Sequence, residues 1–206
     1  MSNEACHSGE IVGVSFSLHP MCNQFIDIIL GTLEKVDSTK VWMRTDDVTT
    51  TIRGKAVHVF DVSKAIFIIA AQTGEHIAYQ ATYSIGCPGD AAGDVYLAED
   101  DEPANLQAIQ NIQQEVSAKF SLYPLGGVHY MDMIYKQIDA MKAYVHVSPA
   151  HYSTYLRGSA LHIFDGLEKV FNQTVASGSS HTVMTVTISA NSPSLKGGSA
   201  DETMAL

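Results

Sequence analysis

Thr50-Thr-Ile-Arg-Gly-Lys-Ala-Val-His-Val-Phe-Asp61 returns further along the chain as Thr154-Tyr-Leu-Arg-Gly-Ser-Ala-Leu-His-Ile-Phe-Asp165. A recurrence of this length is the signature of a duplicated structural unit. Phe16-Ser-Leu-His-Pro20 likewise returns as Phe120-Ser-Leu-Tyr-Pro124, and the spacing agrees, because 120 − 16 and 154 − 50 both give 104. His76 to Pro88 echoes His181 to Pro193 at a shift of 105, which needs only a one-residue insertion between blocks.

Working outward through the first copy, Ile11 to Leu18 alternates apolar Val12, Val14, Phe16 and Leu18 with Gly13, Ser15 and Ser17, the period of a strand with one buried face. Pro20 ends it, and Phe25, Ile26, Ile29, Leu30 and Leu33 recur at helical spacing. Lys40 to Thr45 and Val48 to Arg53 are β-rich runs, with Asp46-Asp47 as the turn of a hairpin. Ala56 to Gln72 is helical in pattern, Thr73-Gly74 stops it, and His76 to Ser84 alternates once more. The order is βαββαβ, and the second copy repeats it with a hairpin turn placed at Pro149-Ala150. The sequence therefore predicts an α+β fold of tandem ferredoxin-like repeats, antiparallel sheets with helices on one face. The expected boundaries are a tail at 1–10, repeats at 11–86 and 117–190, a linker at 87–116 carrying a short helix, and a disordered Gly/Ser-rich tail at 191–206.

Of 206 residues, 46% are hydrophobic and 17% charged, ample for a packed core. A formal charge of −10 without any Lys/Arg run opposes nucleic acid and anionic membrane surfaces. Ala65 to Ala71, the longest apolar run, is far short of the roughly 20 residues of a membrane span, and the N-terminus lacks a signal-peptide pattern. Cys6, Cys22 and Cys87 form neither a disulfide framework nor a zinc motif, which predicts a cytoplasmic protein.

Strand parity locates the polar interruptions. On the helix-facing side of the third strand, Val48, Thr50 and Ile52 match Tyr152, Thr154 and Leu156, so a threonine breaks the apolar face in both copies. Each either bonds to its own backbone surroundings or lines a pocket. The opposite face carries Ser15, Ser17, Thr49, Thr51, Gln80 and Thr82, then Ser121, Ser153, Tyr155, Thr185 and Thr187. Small hydroxyl residues suit sheets packed face to face, between the copies or between protomers. Ser17 and Ser121 are read as part of that contact or as ligand neighbours. His58 and Asp61 recur as His162 and Asp165 at i, i+3 spacing, which suits a local hydrogen bond better than a metal, since ligation needs a third and usually a fourth group. Arg53-Gly54 and Arg157-Gly158 are read as turn glycines beside an arginine. No GxSxG, P-loop, HExxH or dinucleotide fingerprint occurs, and Cys87 in Gly86-Cys87-Pro88 has no activating neighbour in sequence.

The blocks Phe16 to Pro20, Lys40-Val-Trp42, Thr50 to Asp61, Ser84-Ile-Gly-Cys-Pro-Gly-Asp90 and Ser189-Ala-Asn-Ser-Pro193 resemble those of the YkoF family of thiamine/hydroxymethylpyrimidine-binding proteins, over residues 10 to 196. The resemblance implies a homodimer, one ligand site per repeat, no catalysis, no cofactor beyond the ligand, and a role beside a thiamine or precursor uptake system. Carried over by position, Thr50 and Thr154 are the first ligand-binding residues, Leu18 and Leu122 are walls, and Ser17 and Ser121 are neighbours. Asp47, beside Asp46, would meet the thiazolium cation of thiamine, whereas the second copy has Ala150-His151 there. Two other classes fit a duplicated ferredoxin-like scaffold: an enzyme acting on a small substrate, and an assembly module sensing a small ligand.

Overall fold

Two βαββαβ units follow one another in the computed structural model, which describes residues 11–87, 95–126 and 129–195. The first runs β1 (Val12–Pro20), α1 (Phe25–Leu33), β2 (Trp42–Thr45), β3 (Thr50–Gly54), α2 (Ala56–Ala71) and β4 (Ile77–Ile85). A short helix α3 (Leu106–Ile109) precedes the second: β5 (Glu115–Leu125), α4 (Tyr130–Met141), β6 (His146–Ala150), β7 (Ser153–Ser159), α5 (Ala160–Ala176) and β8 (His181–Ala190). The expected tail at 1–10, and that from 196 on, lie outside the described residues, as does 88–94 of the expected linker. The second unit continues past 190 into a 3₁₀ turn at Pro193–Leu195, anchored by Asn191, whose Nδ2 donates to the carbonyls of Ala71 and Glu75 at 2.9 and 3.0 Å.

The two copies do not pack sheet face against sheet face. They join edge to edge, in the order β2-β3-β1-β4-β8-β5-β7-β6, as one eight-stranded antiparallel sheet. The seam is β4 against β8, in register from Ile77↔Ala190 to Ile85↔Thr182. Ala81 opposes Val186 at its middle, and Tyr79↔Ile188 is mirrored by Tyr83↔Met184, so a pseudo-twofold axis passes between the strands. Periodicity shows which face of a strand is buried, not which edge it will pair through, so of the two expected face-to-face packings the one between the copies is ruled out. The sheet's open face consequently shows its hydroxyl residues together with Arg53, Lys119 and Arg157, in place of a layer from the other copy.

All helices lie on the other face, and α2 and α5 meet across the axis. Phe60 packs on Phe171 and Phe67 on Phe164, with ring centroids 5.9 and 5.8 Å apart, the same contact made twice. Phe60 also stacks on Tyr83 at 4.4 Å. Helix α2 is buried on nearly every side because the sheet, α5 and the chain leading to β5 surround it. That chain is held by the repeated His/Asp pair: His58 Nε2 donates to the Asp100 carbonyl at 2.9 Å, and Asp61 Oδ2 accepts the Asn105 backbone N–H and Nδ2 at 3.0 and 2.8 Å. Among the described residues nothing crosses α5 in this way in the second copy. His162 is exposed, and Asp165 turns instead to Lys64 of α2 at 2.9 Å.

Gly54 and Gly158 are strand residues, not turn residues. An added Cβ would lie 3.2 Å from the Tyr96 carbonyl oxygen or 3.0 Å from Val145 Cγ1, so close packing explains both.

A pair of equivalent cavities as the candidate functional site

Ferredoxin-like units leave space where the first helix lifts away from the end of the two central strands, and here each repeat has a cavity at that place. In the first, β1 supplies Phe16, Ser17 and Leu18, α1 supplies Ile29 and Leu33, and the β2–β3 hairpin supplies Thr45 to Thr50. Its volume is about 200 Å³, room for a single small ring system and below the roughly 300–1,000 Å³ of sites for larger ligands. In the second, β5 supplies Phe120, Ser121 and Leu122, α4 supplies Met131, Ile134, Tyr135 and Ile138, and β6–β7 supplies Tyr152, Ser153 and Thr154, around about 450 Å³. Ser17, Leu18, Asp47 and Thr50 thus share one cavity, and Ser121, Leu122 and Thr154 its counterpart.

The local geometry follows from register. Phe16 pairs with Thr50 and Phe120 with Thr154, so each threonine lies beside a buried ring on the helix-facing side. Thr50 Oγ1 is 2.9 Å from Thr45 Oγ1, its cross-strand neighbour. In the second copy that neighbour is Pro149, which has no hydroxyl, and Thr154 is buried. Ser17 Oγ donates to the Val48 carbonyl at 3.1 Å, and Ser121 Oγ to the Tyr152 carbonyl at 3.2 Å. The serines therefore tie each hairpin back to the first strand of its unit, a role that parity alone does not show. Each hydroxyl oxygen keeps lone pairs able to accept from a ligand.

The hairpin tips stand beyond the expected turns, by one residue in the first copy and by two in the second. Ala150 still pairs with Ser153, which leaves His151-Tyr152 as the two-residue loop in place of Pro149-Ala150, with Tyr152 left-handed at φ 62° and its side chain in solvent. In the first copy the Asp46 backbone N–H reaches the Thr49 carbonyl, so Asp47-Val48 form the tip. Asp46 Oδ1 accepts the backbone N–H of Val48 and of Thr49 at 2.8 and 2.9 Å. These bonds, first the one from Thr49 and then the one from Val48, hold its carboxyl below the usual carboxylate range. No hydrogen bond among the described residues engages Asp47.

Sequence reasoning missed the cavity's other walls. Tyr135 and Met131 on α4 carried no repeat signal, because the equivalent stretch of α1 differs. Among the described residues there is no group of three or more His, Cys, Asp or Glu that could hold a metal ion. No helix among them is long and apolar enough to cross a membrane.

The fold and its paired cavities define a tandem ferredoxin-like protein with a small-molecule-sized pocket in each repeat. Comparison with known sequences makes this specific. The model of the YKOF-related family matches residues 11–90 and again 115–195, and the chain belongs to that family. A Bacillus subtilis (strain 168) relative named "Putative HMP/thiamine-binding protein YkoF" is 42% identical over 192 residues, covering 93% of this chain and 96% of its own. The crystal structure of a hypothetical protein from Methanocaldococcus jannascii shares 22% identity and a TM-score of 0.33, covering 45% of this chain and 89% of its own.

Proposed function

We propose that this protein binds thiamine or its hydroxymethylpyrimidine part, one molecule in each repeat, without transforming it. The observation that carries the reading is the recurrence, in both copies, of a Phe-Ser-Leu strand end and a facing threonine around a cavity. An aminopyrimidine ring offers an amino donor, ring-nitrogen acceptors and two apolar faces. Thr50 and Thr154 supply hydroxyls at the sheet end, Ser17 and Ser121 supply acceptors held by the hairpin, and Leu18 and Leu122 supply walls. The Bacillus relative's name supports this ligand class and describes a binding protein.

On the same reading the protein works in the cytoplasm beside a thiamine or precursor uptake system, and two copies associate through the open sheet face. The hydroxyl side chains of that face, which the edge-to-edge fusion leaves uncovered, support the association. The test is calorimetric titration with thiamine, hydroxymethylpyrimidine and a thiazole-only control. Binding of the first two near two per chain is expected, and silence with all three overturns the proposal. Thr50→Val and Thr154→Val keep side-chain shape and remove one hydroxyl. Each is expected to weaken its own site about fivefold to twentyfold and leave the other unchanged, the scale of one lost neutral hydrogen bond.

A further inference from the structure

We infer that the first cavity selects its ligand by charge, accepting the cationic or neutral alcohol and rejecting its phosphate monoester, and that Asp47 is the residue that sets this selection. The inference rests on the ligand class proposed above and adds which form of it enters. Among the described residues two carboxylates, Asp46 and Asp47, line the first cavity, and no Lys or Arg does. The second cavity is lined by no charged side chain of either sign. A phosphate site needs the opposite, a lysine, an arginine or a cluster of free backbone N–H groups. At the first hairpin the N–H groups that could have served, those of Val48 and Thr49, are already taken by Asp46.

The two carboxylates divide the work. Asp46 is committed to the turn, while Asp47 at the tip lines the cavity, is exposed and makes no hydrogen bond among the described residues. Arg44 acts on Asp46 more weakly than the turn bonds do and is not part of the lining. His19, also on the lining, is the only other titratable side chain there. At the equivalent tip the second repeat has His151, so the discrimination belongs to one site of the two. A phosphate dianion brought close to these two exposed carboxylates is repelled enough for a discrimination of about tenfold or more, and added salt weakens it.

The experiment titrates the full chain with thiamine, thiamine monophosphate, hydroxymethylpyrimidine and its phosphate, at low and high salt, for the natural protein, Asp47→Asn and His151→Asp. The natural protein is expected to show one site that prefers each alcohol over its ester by about tenfold or more. Asp47→Asn should shrink that preference to under about threefold, and His151→Asp should create one at the second site. Equal affinity for alcohol and ester in the natural protein overturns the inference alone, as does a preference indifferent to both substitutions. Failure of all four compounds to bind overturns the ligand class and this inference with it. Both substitutions lie at exposed hairpin tips, so folding is checked by an unchanged thermal transition.

Discussion

Gly86→Ala is expected to lower the unfolding free energy by more than about 3 kcal/mol, an effect of the size seen when core packing is broken. Gly86 follows β4 directly and has φ 77°, a left-handed conformation that costs an L-residue roughly 1–2 kcal/mol. A methyl group there would overlap the Ser180 carbonyl oxygen, inside any allowed contact. Relief requires moving the backbone just before β8, where Ile85 and Thr182 close the seam between repeats. Gly74→Ala separates the two causes, because Gly74 has φ 79° but open space around it. Urea unfolding should show a loss of about 1 kcal/mol for Gly74→Ala and at least two to three times that for Gly86→Ala. Equal losses would remove the steric part of the argument.

The second large effect depends on pH. Glu168 lies on α5 beside the interhelix seam, with Lys64 and Asp61 facing it from α2 and Asp165 one turn away on its own helix. Burial, first, and then the charges of Asp165 and Asp61 push its carboxyl up to about 7, against the opposing pull of Lys64. Lys64 is already paired with Asp165 at 2.9 Å, so ionised Glu168 would leave the group with two excess negative charges. The folded state thus binds this proton more tightly than the unfolded chain, whose reference value is 4.5. The stabilisation is complete below about 4.5 and is lost as pH rises through about 7. The full span corresponds to roughly 2–3 kcal/mol after allowing for partial exposure. Glu168→Gln should accordingly raise stability by about 1–3 kcal/mol at pH 8 and change it little at pH 5. A uniform shift at both values would place the cause in packing instead of protonation.

How far the sequence carries the structure varies with the kind of information each feature needs. The repeat, the helix spans and the strand faces are local properties, written in blocks such as Thr50 to Asp61 and in alternation such as Val12, Val14 and Phe16. Parity puts Leu18 and Thr50 on one face, whereas Ser17 falls on the opposite face by parity and Asp47 sits in the turn, so the cavity that all four line was not open to periodicity alone. Nor was edge choice. Residues 77–85 and 181–190 read equally well as outer strands of two separate sheets, and only the completed sheet shows them paired. The second hairpin tip lies two residues past the expected turn because Pro149 sits in strand β6 as a cross-strand neighbour of Thr154. Charge partners were hidden for the same long-range reason: Glu168 occupies in the second copy the place Lys64 occupies in the first, and one sees the other only when α2 lies on α5. His58 and His162, identical in their blocks, diverge because, among the described residues, only the first has a chain segment crossing it.

The seam's twofold symmetry has a consequence for what this chain can become. Two identical halves meeting on such an axis would form an isologous contact, in which any substitution appears twice and confronts itself or its mirror partner. Lys64 opposite Asp165, with Glu168 beside them, is an arrangement that identical halves could not hold without also placing a second lysine there. Covalent duplication lifts that restriction. Each half can drift on its own while both share the ladder of β4 and β8, so a single chain carries two cavities whose linings can change one at a time.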